Sequence, residues 1–155
     1  MKPTLRPARG QDHGRGSRRR GEAFFVVQPE TAGARVSGAG ASAVCVFDTL
    51  LGDDIVRVHP ALLVTTPLRD ALAAVEGLTG FTVARARVRS TAFWRRYNRR
   101  RRLPVFWYLG AQGAPGLADM GFTVDGSVVI SWRVLEVLVG FRVGRAVFAK
   151  YSPTV

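Results

Sequence analysis

Phe93-Trp94-Arg95-Arg96-Tyr97-Asn98-Arg99-Arg100-Arg101-Arg102-Leu103-Pro104-Val105-Phe106-Trp107-Tyr108-Leu109 joins the most cationic segment of the chain to one of its most β-prone. Residues 105–109 are aromatic, branched and apolar, and Pro104 resets the chain to extended just before them, so the run reads as a central strand. Upstream, Ser90 and Thr91 cap a short helix. The i, i+1, i+4 spacing of Phe93, Trp94 and Tyr97 turns the rings inward and leaves Arg95, Arg96 and Arg99 outward. Downstream, residues 110–122 form a glycine-studded connector with one acid, Asp119.

Further out, residues 24–27 read as a strand ended by Pro29, residues 32–42 as a flexible glycine-rich loop, and residues 44–47 as a second strand. Gly52-Asp53-Asp54 reads as a turn or the start of a short helical segment, and residues 62–64 as a brief buried run. Thr66 supplies an N-cap hydroxyl with Pro67 behind it, and Leu68, Ala71, Leu72 and Val75 make one apolar helix face that Gly77 ends. Residues 81–88 alternate with a slip of one position, the signature of a bulge in a strand that exposes Arg85, Arg87 and Arg89. Residues 128–130 read as a strand, Ser131 as the N-cap of a helix over 132–139, and residues 146–151 as the last strand. Strands mixed with helices and no regular βαβ repeat predict an α+β fold, a single domain with a mostly antiparallel sheet and two or three packed helices.

Charge is unevenly placed. Nine arginines and no acid lie between residues 85 and 102, and seven basic residues face one aspartate over residues 1–21. The rest of the chain carries seven basic and ten acidic residues, so a mildly acidic body bears one cationic strip. Clustered guanidinium groups suit an anionic partner, nucleic acid or acidic protein, although 21 arginines against two lysines is also what a GC-rich genome produces. The first 21 residues have a disordered composition, ahead of a domain over 22–155; they read as a basic arm or as upstream sequence taken in by an early start codon. No segment approaches the roughly 20 apolar residues that cross a bilayer, and the apolar run after the arginines at 18–20 is too short for an export signal. The location implied is the cytoplasm, with no membrane partner.

Signatures for phosphate loops, zinc proteases, paired-cysteine metal sites and serine hydrolases are all missing, so no cofactor, metal or catalytic residue is implied. Cys45 is the only cysteine, in an apolar run, and reads as a small buried hydrophobe. His59 with Asp53 or Asp54 is the one base-and-carboxylate pairing available, and no nucleophile stands beside it. Asp119 reads as an acceptor for its own turn or as a partner contact. Trp94 and Tyr97 read as core residues or as rings that stack on bases beside arginine.

Several landmarks together resemble a family of bacterial polymorphic-toxin immunity proteins, well represented in myxobacteria and related to the double-CxxCG proteins. They are Phe24-Phe-Val-Val-Gln-Pro-Glu30, Leu51-Gly-Asp-Asp54 with Leu63-Val-Thr65 and its helix, Gly77-Leu-Thr-Gly-Phe81, Leu103-Pro-Val-Phe-Trp-Tyr108, Gly113-Ala-Pro-Gly116, Asp119-Met-Gly121, and Val129-Ile-Ser131 with Val134-Leu-Glu-Val-Leu138. The sequence departs from the pattern at Ala118-Asp119-Met120, where paired acids are common, and in having Cys45 alone. The four arginines at 99–102 are an addition. The resemblance implies a cytoplasmic, non-catalytic protein that occludes a cognate toxin. Its expected contacts are Trp94, Arg95, Arg96, Tyr97, Arg99, Arg100, Arg101 and Arg102, with Asp53, Asp54 and Asp119 secondary. The alternative is an RNA- or DNA-binding module using the same strip and the basic tail.

Overall fold

Ala61-Leu62-Leu63-Val64-Thr65 is buried at every residue. Alternate side chains of a strand point to opposite faces, so such a run needs a hydrophobic layer on each side. The computed structural model, which describes residues 23–38 and 42–153, supplies both layers. The basic tail expected over 1–21 lies outside the described residues.

In chain order the elements are β1 (Phe24–Gln28), β2 (Glu30–Ser37), β3 (Val44–Phe47), β4 (Ile55–His59), β5 (Ala61–Thr65), α1 (Thr66–Ala74), β6 (Phe81–Arg85), β7 (Arg87–Ser90), α2 (Ala92–Tyr97), β8 (Phe106–Ala111), β9 (Met120–Phe122), β10 (Val128–Ser131), α3 (Trp132–Leu138) and β11 (Val147–Lys150). One sheet has the order β11-β1-β10-β9 and the other β6-β8-β5-β4-β2-β3-β7. Among the described residues the β2–β4 and β3–β7 strand pairings are parallel and the other strand pairings antiparallel. The fold is α+β, with three helices among the described residues and mostly antiparallel strands.

The larger sheet closes on itself. Its two edge strands, β6 and β7, are consecutive in the chain and separated only by Ala86, so the sheet curls until its edges meet at that residue. Inside the curl lie Ala32, Cys45, Phe47, Val56, Val58, Leu63, Ala86, Trp94 and Phe106. Phe47 and Phe106 stack there at 4.9 Å. On the outer face Ile55, Leu62, Val64 and Leu109 pack against α1, α3 and the small sheet through Leu68, Leu72, Val134, Leu138, Val128 and Ile130. Leu68 and Leu72, like Val134 and Leu138, are four residues apart and so share a helix face. Helices of nine and seven residues do not hold alone in water, and this packing is what keeps them.

Three local expectations are corrected. Residues 32–37 of the expected flexible loop over 32–42 belong to a strand, because β2 pairs in parallel with β4 and antiparallel with β3. Its glycine serves close approach: a Cβ on Gly33 would stand 1.9 Å from the carbonyl oxygen of Val46. The expected bulge at 81–88 is a full break, the halves belonging to opposite sheet edges. The N-cap position of the helix after β5 falls one residue early, at Thr65, whose hydroxyl makes no cap bond and donates instead to Asp54 Oδ1 at 2.8 Å, while the Thr66 hydroxyl accepts from Trp107 Nε1 at 2.9 Å. β4 went unnoticed between the Asp53-Asp54 turn and Pro60, and β9 lies inside the supposed connector.

Gly33→Ala therefore costs about 2–3 kcal/mol of stability by forcing β2 and β3 apart. Gly144→Ala, where an added Cβ meets nothing within 4 Å, serves as the near-neutral control in the same urea unfolding series.

Candidate functional site

Helix α2 is six residues long and is fixed at both ends by side chains. The Thr91 hydroxyl accepts from Trp94 N at 3.1 Å, and Asn98 Nδ2 donates to Trp94 O at 2.8 Å. Trp94 is 5% exposed and joins the core inside the curled sheet. Phe93 and Tyr97 do not follow it inward: they are 59% and 68% exposed, their rings 4.7 Å apart. This corrects the expectation that all three rings face the core. Residues i and i+4 sit side by side, while i+1 is turned about 100° away, and the helix buries only the side that carries Trp94.

Around this aromatic pair the arginines stand in solvent. Arg95, Arg96, Arg99, Arg100, Arg101 and Arg102 are exposed, as are Arg85, Arg87 and Arg89 on β6 and on β7, the sheet edge that leads into α2. Arg95 donates to the Ser90 carbonyl and Arg85 lies 5.5 Å from the Trp107 ring centroid. Among the described residues the ion pairs are Arg69–Asp70 and Arg133–Asp119, so none of these nine guanidinium groups has a carboxylate partner. Leu103 packs on the inner core and holds the far end of the run.

The acids proposed as secondary contacts are committed internally. Asp119 Oδ2 accepts from Thr79 N at 2.9 Å and from the Thr79 hydroxyl at 3.2 Å, and Oδ1 accepts from the Ser131 hydroxyl at 2.6 Å. It thereby ties the N-cap of α3 to the turn before β6. Asp54 Oδ2 accepts from Arg142 N and Asp53 Oδ2 from Arg145 N, each at 2.8 Å, which pins the segment between α3 and β11. His59 is exposed at the far end of β4 from this pair, roughly 16 Å away along an extended strand, so base and carboxylate are not brought together. Among the described residues no group of three His, Cys, Asp or Glu is placed to hold a metal, and no helix is long and apolar enough to cross a membrane.

One half-buried acid was missed. Glu30 opens β2 beside Asp53, and its Oε1 is sealed from solvent without a hydrogen-bond partner. Burial, then the Asp53 carboxylate, push its pKa above the ordinary 4.5, against the pull of the Leu51 and Asp53 N–H groups and Arg145. The available signal was its place straight after Pro29 at the head of a strand, masked by reading Pro29 only as the end of the strand before it.

Comparison of the chain with family models, curated proteins and solved structures returned no match.

Two measurements check these assignments. Asp119→Ala leaves the Thr79 N–H and the Ser131 hydroxyl without their acceptor and lowers stability by about 3 kcal/mol in denaturant unfolding. Glu30→Gln has a pH signature. A raised folded-state pKa means that the ionised carboxylate opposes folding at neutral pH, and that this opposition fades as pH falls through the raised value. The variant is accordingly more stable than the parent at pH 7, and the gain disappears below the ordinary carboxylate pKa of 4.5. A gain that persisted into acid would overturn the assignment.

Proposed function

We propose that this chain is a non-catalytic, immunity-type binding protein that acts in the cytoplasm by occluding a cognate toxin, with the α2 face as its docking surface. The observation that carries the reading is the exposed Phe93–Tyr97 pair set among arginines without carboxylate partners. Aromatic and arginine side chains dominate interface energies when a partner desolvates them. The face is rigid, since α2 is capped at both ends and anchored by Trp94. A cationic rim calls for a partner that is acidic where it docks, and it acts chiefly on the association rate.

A second reading rests on the same observation. Uncommitted guanidinium groups suit phosphates and two exposed rings suit stacked bases, so single-stranded nucleic acid is the alternative ligand.

The experiment is co-purification and titration against the toxin encoded beside this gene, with a polynucleotide titrated in parallel. Phe93→Ala and Tyr97→Ala should each weaken toxin binding about tenfold, near 1.4 kcal/mol, and replacing Arg99–Arg102 with alanine should slow association and flatten its salt dependence. A toxin that stays fully active and unbound would sink the immunity reading. Polynucleotide binding whose affinity falls steeply with salt and vanishes with the arginines would install the alternative.

A further inference from the structure

Arg57 interrupts the apolar run Ile55-Val56-Arg57-Val58 of β4, whose valines fill the inner core. Alternation sends Arg57 to the outer face, where its guanidinium carbon lies 5.7 Å from the Phe122 ring centroid and its Nη2 donates to Gly126 O at 3.0 Å. Nε is sealed from solvent without a partner. No carboxylate among the described residues pairs with it, and burial draws its pKa down. A half-buried cation without an anion is costly, and a valine would have served the packing.

Beside Arg57 is a cavity of about 300 Å³ where the β1–β2 turn meets the turn between β9 and β10. Gln28, Thr31 and Ser127 give it polar walls, and Asp125 lines it together with Arg57. Asp125 is held ionised: its Oδ1 accepts from the Thr123 hydroxyl and from Ser127 N, which lowers its pKa. One small cavity is thus lined by both Arg57 and Asp125, which do not pair with each other. Its volume is at the small end of ligand sites.

We propose that this cavity is a binding site for a small zwitterion of amino-acid size, its carboxylate taken by Arg57 and its ammonium by Asp125. The site is independent of the α2 face. A ligand without net charge is also the kind that the arginine strip does not draw away.

The test is an amide NMR titration of the full ¹⁵N-labelled chain with glycine, β-alanine and γ-aminobutyrate, against acetate and methylammonium. At least one zwitterion should shift the Thr31, Gly126 and Ser127 amides saturably, at roughly tenfold lower concentration than either single-charge probe. Arg57→Met should abolish the response. Asp125→Asn, at an exposed position whose side chain still accepts hydrogen bonds, should erase the preference for zwitterions over acetate and keeps the test decisive if Arg57→Met fails to fold. No saturable shift, shifts confined to the arginine strip, acetate matching every zwitterion on the parent protein, or a response unchanged in either variant would each overturn the proposal.

Discussion

Burial of β5 on both faces is the constraint on which the rest of the molecule depends. Ala61 and Leu63 face the inside of the curled sheet and Leu62 and Val64 the outside, so two separate cores must form at once around one five-residue strand. The inner core fills only if the sheet curls far enough for β6 and β7 to become one kinked strand at Ala86. The outer core fills only if α1, α3 and the small sheet close over β4, β5 and β8. Both requirements bear on the candidate site. α2 follows directly from β7, and Trp94 is driven into the inner core, so the aromatic pair stands on a helix whose position is set by the sheet closure itself.

Local chemistry was legible where it needed no distant partner. The caps at Thr91 and Ser131, the i, i+4 faces of α1 and α3, and the strand at β8 could all be read from neighbouring residues. What failed depended on contacts between segments far apart in the chain. β2 looks like a glycine-rich loop until β4 and β3 take up its hydrogen bonds, and Gly33 is needed only because Val46 comes so close. The slip at 81–88 was visible, but nothing local says that the two halves lie at opposite edges of a sheet. The spacing of Phe93, Trp94 and Tyr97 gave a helix correctly. It gave the wrong burial because helical spacing defines a face without saying how wide a strip of it meets a core.

Charge is sorted in the same way. Asp53, Asp54 and Asp119 each hold a backbone N–H from a segment distant in sequence, so they function as internal ties. The guanidinium groups of the strip have no such role, and with Asp53, Asp54 and Asp119 drawn inward no carboxylate among the described residues lies within ion-pair distance of them. At physiological salt their field reaches about 8 Å, enough to orient a partner at close range and too little to organise the rest of the fold. The sequence offers these acids as secondary candidates behind the bases; their hydrogen bonding separates the two sets.

Exposed apolar side chains are common on protein surfaces, and Leu117, Val124 and Val139 are examples that need no functional account. Phe93 and Tyr97 differ from them in arrangement. They touch each other, they project from a helix whose caps and single tryptophan anchor already fix it, and they are ringed by cations. Neither ring is needed to seat α2, since Trp94, Thr91 and Asn98 do that without them. Two aromatic rings left in water by a short helix that gains no core burial from them are the observation on which the proposed docking face rests, and the surrounding arginines would favour a partner that carries negative charge where it docks.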